Sequence, residues 1–245
     1  MQKLMSTHIS PRASTRADLR RRGRGLAAAC DTVTAVSEPS RRHTSDEARD
    51  ITAFLYELGQ LKRYPRTGWL TAGVPSPESV ADHSYRASVI AAVIATMEGA
   101  DPQRAAFLAL WHDSQETRTT DLSHLTKQYV TPTPNVEVTS AQVARLPGAL
   151  ARVISEAVAE YEARGTQEAR CARDADKIEL LLQAREYTDQ GHPGLRPFID
   201  SALAALRTAA GRELAAEAQR QGFLDWVDRA MDGQAHQAMT GDGEA

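Results

Sequence analysis

Residues 79–102 read SVADHSYRASVIAAVIATMEGADP, and this stretch decides the fold. From about Ser79 to Met97 it reads as one helix built on the apolar run SVIAAVIATM. Gly99 stops it, as glycine tolerates the left-handed turn that closes a helix. Asp101-Pro102 restarts the chain in the N-cap and N1 positions that those residues favour. His83 lies near the start of the first of these two helices.

The same pattern extends in both directions. Upstream, Thr44-Ser45-Asp46-Glu47 is a T-x-x-E capping box. Behind it Ile51, Phe54, Leu55, Leu58 and Leu61 recur at helical spacing and give one apolar stripe. YPRTGWLTAGVPSPES then breaks regularity with prolines and glycines. Downstream, the helix opened by Asp101 carries AAFLALWHD, and YVTPTPNVEVT reads as a loop because its prolines exclude a helix interior. PGALARVISEAVAEYEARG forms the next helix, with Pro147 near its start and Gly165 after its end. Thr166 caps a further one that runs through CARDADKIELLLQAREYTDQG to Gly191. A last amphipathic segment spans roughly Phe198 to Val227. Alternating strand patterns are scarce, and there is no GxGxxG or P-loop motif. The expectation is an all-α domain over residues 44–230, with loose extensions at 1–43 and 231–245.

Composition sets the bounds. A chain of 245 residues with a net charge of -3 suits one sizeable core and gives no reason to expect nucleic acid as a partner. No apolar run approaches the roughly 18 residues of a transmembrane helix, so no membrane partner is expected. Cys30 and Cys171 lie far apart, which argues against a disulfide framework and fits a cytoplasmic location. The first 43 residues are dense in arginine, as in RADLRRRGRGLAAAC, and read as a disordered extension rather than a targeting peptide.

The chemistry gathers around residues 111–121, WHDSQETRTTD. Here an apolar helix ends in an adjacent imidazole and carboxylate, with further acids at Glu116 and Asp121. His83 precedes this cluster, and Asp176 follows it at the head of a strongly apolar helix segment, where a buried carboxylate needs a compensating partner. Two imidazoles and two carboxylates, His83, His112, Asp113 and Asp176, are ligand types that a hard-to-borderline divalent ion accepts. Four such ligands would leave an octahedral ion two positions for water and substrate. Glu116 lies one turn after His112 and shares its face if the helix continues. Glu116 and Asp121 are suited to orienting a water or moving a proton.

The ordered set His83 … His112-Asp113 … Asp176 resembles the H…HD…D signature of the HD-domain metal-dependent phosphohydrolases. LKRYPRTGWL, PESVADHSYR, the HDxxE of WHDSQET, Asp121 and DADKIELLLQAREY together resemble the 5'-deoxynucleotidase branch, in the same order over about residues 48–228. The resemblance implies an HD-domain helical bundle and a phosphomonoesterase acting on nucleoside 5'-monophosphates, with deoxy sugars favoured. It implies one divalent ion per subunit, of the Mn, Co, Mg, Zn, Fe or Ni series, held by His83, His112, Asp113 and Asp176. Glu116 and Asp121 match the catalytic acids. Arg66 and Trp69 fall in the loop that helps hold the nucleotide, with the core an equal place for Trp69. Ser84, and Arg86 beside it, neighbour the first ligand and are placed near the phosphate, while Lys177 neutralises phosphate or steadies Asp176. A homodimer is implied by the same resemblance. The alternative activity is on a nucleotide analogue or another phosphoester in a specialised biosynthetic pathway, and a non-catalytic helical binder ranks below both. The sequence departs from the family's pattern at Ser114-Gln115 and at Thr119-Thr120, where relatives often place a glycine before the distal acid. Without it, the loop presenting Asp121 is expected to be less tight or differently angled.

Overall fold

A computed structural model describes residues 44–232. The expected extension at residues 1–43 lies outside the described residues, as does the expected tail from residue 233 onward. In chain order the helices are α1 (Ser45–Leu58), α2 (Thr67–Thr71), α3 (Val80–Glu98), α4 (Pro102–Trp111), α5 (Glu116–Thr119), α6 (Asn135–Val143), α7 (Gly148–Ala163), α8 (Gln167–Asp189), α9 (Arg196–Ala205) and α10 (Ala209–Arg220). Among the described residues the one extended pairing is an isolated bridge between Pro65 and Ser79, so the domain is all-α.

The caps follow the side chains that the sequence offers. Thr44 and Glu47 close a reciprocal capping box on α1, and Ser79 and Asp82 close another on α3. Gly99 takes the left-handed conformation that ends α3, and Asp101 accepts from the backbone amides of Gln103 and Arg104 to start α4. α3 and α8 form the centre of the bundle and pack against each other, with α4 against both. Ile94, Leu108 and Leu181 are buried there, next to the small residues Ala91, Ala95 and Ala175. The short side chains let these helices approach closely, which brings polar residues on facing helices within bonding distance.

Two expectations are corrected. The loop ends sooner than the prolines suggested: α6 begins at Asn135, directly after Pro134. Proline forbids a helix interior but is compatible with the position just outside a first turn. The last amphipathic segment is interrupted rather than continuous: α9 and α10 are separate, and a further helical stretch begins at residue 225. Asp174, buried on α8, accepts from the amides of Arg207 and Thr208 and from the Thr208 hydroxyl, and this anchor breaks the chain between α9 and α10.

Candidate metal centre

His83 projects from the first turns of α3 and is fully buried. Its Nδ1 lies against Glu179 of α8, and its Nε2 is 3.3 Å from Asp176 Oδ1. His112 stands just past the end of α4, where its Nδ1 meets the Ala109 carbonyl at 2.6 Å. A carbonyl can only accept, so Nδ1 carries a proton and Nε2 is the nitrogen turned toward the cluster. The two Nε2 atoms face each other at 3.3 Å, and Asp113 Oδ2 lies 3.0 Å from His112 Nε2 and 3.7 Å from His83 Nε2. One atom from each of His83, His112 and Asp113 therefore lies within 4.8 Å of the other two, and Asp176 closes the group through His83.

This donor set fits a divalent cation. Two imidazole nitrogens and two carboxylates converge, and Glu116 Oε2 is buried beside them with no hydrogen-bond partner among the described residues. Buried polar atoms normally find a partner, so an orphan of this kind marks a place where something else is held. Burial works to raise Asp113, but the His112 bond and charge and the Arg66 guanidinium override it and hold the carboxyl well below the usual range. Burial likewise works against Asp176, and Lys177 and His83 outweigh it. Glu116 goes the other way: burial, then repulsion from Asp113 and Asp121, pushes it up to about 9 although Arg66 opposes this.

The remaining expected residues line a cavity of about 530 Å³, with two exceptions. Arg66 donates to Asp113 Oδ2 at 3.1 Å and approaches Asp121 Oδ1 to 3.7 Å. The Pro65–Ser79 bridge fixes its backbone, since Arg66 N donates to Glu78 O and Val80 N to Tyr64 O. Asp121 is pinned by Thr67, whose amide and hydroxyl both donate to Oδ2. Lys177 Nζ sits 2.9 Å from Asp176 Oδ2. Trp69 is only 1% exposed, packs near Phe198 and Tyr187, and donates to Glu78, so it is a wall of the cavity rooted in the core. Glu78 itself is pushed up to about 7, by burial and by its neighbour Glu179.

Ser84 is the first exception. Its hydroxyl donates to the Val80 carbonyl, and it lines a separate apolar groove with Tyr85 and Val89. Successive helix residues point about 100° apart, so the neighbour of a ligand is turned away from it. Arg86 does not line the cavity either; it pairs with Glu179 and Glu186.

The helix of His112 does not continue to Glu116. α4 ends at Trp111, and a turn separates it from the single turn of α5. The departure at Thr120 has a direct structural result: this residue takes φ 58°, ψ 167°. That region belongs essentially to glycine and costs a β-branched residue about 1–3 kcal/mol. Of the two expectations for this loop, less tight or differently angled, the backbone follows the second: it is strained at Thr120 and held by Thr67.

Several wall residues were not foreseen. Tyr161 with Arg173 stacked 4.8 Å over its ring, Lys127 and Phe198 line the cavity from four other segments. Their convergence is a product of topology that no local pattern announces. Glu179 was equally missed, although it left a signal as an acid embedded in the apolar run of α8.

A family model for the HD domain matches residues 58–214. The chain belongs to the HD-domain family. Human 5'-deoxynucleotidase HDDC2 is 38% identical over 166 residues, which cover 63% of this chain and 77% of that protein. The Schizosaccharomyces pombe 5'-deoxynucleotidase hdd1 is 35% identical over 147 residues, covering 56% and 72%. Among solved structures, a protein of Magnetospirillum magnetotacticum described as a predicted metal-dependent phosphohydrolase superposes with a TM-score of 0.54 at 26% identity, covering 73% of this chain and 98% of its own. Membership of this family makes the protein a metal-dependent hydrolase. No helix among the described residues is long and apolar enough to cross a membrane.

Proposed function

We propose that the chain hydrolyses deoxynucleoside 5'-monophosphates to nucleoside and phosphate, with His83, His112, Asp113 and Asp176 holding one divalent ion. The observation that carries this reading is the convergence of the two imidazole Nε2 atoms and Asp113 beside the unpartnered oxygen of Glu116. The substrate class rests on the 5'-deoxynucleotidase relatives, and the HD-domain match over residues 58–214 contains the whole cluster.

A divalent ion in this place supplies Lewis-acid polarisation of a phosphoryl oxygen and lowers the pKa of a water. The protein supplies the rest. Water adds to phosphorus as the bond to the 5'-oxygen breaks, and a proton must leave the one and reach the other. Glu116 has a free oxygen at the cavity and is the group that handles that proton. Asp121 has Oδ2 tied to Thr67 and faces Arg66 with Oδ1, so it steadies the arginine and the loop. Arg66 offsets charge on the phosphoryl oxygens, which is most of the work in phosphoryl transfer. Trp69 shapes the wall next to it. Lys177 keeps Asp176 oriented and adds positive charge at the rim. Homodimeric assembly is proposed with this function on family resemblance alone, and a cytoplasmic setting on the two distant cysteines, Cys30 and Cys171.

The test is phosphate release from a panel of ribo- and deoxynucleoside 5'-monophosphates, with Mn²⁺, Co²⁺, Mg²⁺, Zn²⁺, Fe²⁺ or Ni²⁺ in turn. Turnover of deoxynucleotides above ribonucleotides, dependent on added metal, is expected. No phosphate release from any of them with any metal would overturn the reading.

A further inference from the structure

Two polar rows interlock where α3 meets α8. On α8, Asp176, Glu179, Gln183 and Glu186 follow one another at i, i+3, i+7 and i+10, so they share one face. Opposite them on α3 stand His83 and Arg86, at i and i+3. His83 is gripped from both sides: Asp176 approaches Nε2, and Glu179 Oε2 meets Nδ1. Arg86 then holds the other oxygen of Glu179, donating to Oε1 from Nε at 3.0 Å and from Nη2 at 2.8 Å. It also donates to Gln183 and Glu186, which fixes the guanidinium in turn.

Glu179 is fully buried and does not line the cavity. An ion pair with Arg86 would need only its Oε1, yet Oε2 is spent on the imidazole. We propose that Glu179 is the positioning residue of the metal centre. By accepting the Nδ1 proton of His83 it leaves Nε2 as the coordinating nitrogen, and its negative charge makes that nitrogen a stronger donor. The two histidines are thereby unequal. His112 rests on the neutral Ala109 carbonyl, whereas His83 rests on a carboxylate that Arg86 locks in place. His83 is the ligand whose strength depends on a side chain and can be changed by substitution. This inference rests on the metal-centre reading above.

The experiment uses the full chain, stripped of metal, titrated with Mn²⁺ alone against a chromophoric chelator, with no nucleotide present. Glu179→Gln preserves shape and an acceptor oxygen but removes the charge; it should weaken Mn²⁺ binding about 10-fold, and Glu179→Leu should weaken it about 100-fold. At saturating Co²⁺ the visible absorption spectrum of Glu179→Gln should shift relative to the unsubstituted protein, a change that loss of packing alone does not produce. Far-UV circular dichroism and thermal unfolding establish that each variant is folded, and Glu179→Gln decides the matter if Glu179→Leu is not. A folded Glu179→Gln with unchanged Mn²⁺ affinity and Co²⁺ spectrum would overturn the role of Glu179 and leave the metal centre standing. Failure of the unsubstituted chain to bind either ion would overturn both. Metal binding without deoxynucleotide hydrolysis would remove the proposed function and leave the role of Glu179 intact.

Discussion

The two halves of the site are built differently. His83 and Asp176 stand on long, well-packed helices, with Glu179 behind them, and each of these side chains is paired within the α3–α8 interface. His112, Asp113, Glu116 and Asp121 stand on the broken stretch between α4 and the loop after α5, where Glu116 Oε2 is unpartnered and Thr120 has positive φ. The helical half is satisfied and unstrained, which suits groups that only have to hold. The broken half keeps an unused acceptor and a costly backbone conformation, features that persist where chemistry requires them.

The comparison is broken most severely at the junction of the halves. His112→Ala or Asp113→Ala should remove bound metal and reduce dAMP hydrolysis to background together, read as metal content after dialysis and as phosphate release. Hydrolysis at the unsubstituted rate in either variant would show that the ion, or the reaction, lies elsewhere. A selective change comes next. Glu116→Gln should retain the metal and lower kcat about 10²–10⁴-fold with KM little altered, as expected for loss of proton transfer. If metal content fell with activity, Glu116 would belong to the holding half instead. The smallest effect is on stability. Thr120→Gly removes the strain of a positive-φ threonine at the cost of a more flexible unfolded chain, for a net gain of about 1 kcal/mol. A rise in Tm of about 2–4 °C is the corresponding observation. A fall would mean that the threonine side chain contributes more than its backbone conformation costs.

The same division explains what could be read from sequence. Helices were legible because Thr44, Ser79, Asp101 and Thr166 announce their starts and apolar periodicity announces their course. The start of α6 was hidden because Pro134 reads as loop and also serves as a boundary. His83, His112, Asp113 and Asp176 stood out as a combination of residue types in a fixed order, and the fold brings them to one place. Ser84 was placed by adjacency along the chain, which a helix turns into divergence in space. Glu179 escaped attention because it lies among leucines, three residues past a more conspicuous acid. Its purpose became visible only when α3 supplied His83 and Arg86 across the interface. The walls of the cavity were beyond reach for the opposite reason, since Lys127, Tyr161, Arg173 and Phe198 share no local pattern.

Arg66 deserves a last consequence. Its guanidinium is paired with Asp113 at 3.1 Å and near Asp121 at 3.7 Å, and although burial opposes its charge, those acids with Asp176 and Glu116 keep it protonated. Both contacts run through Nη1, which leaves Nε and Nη2 as donors. In the proposed reaction a phosphate would take those donors without evicting an acid, so the arginine would serve two anions at once and keep its orientation through the turnover.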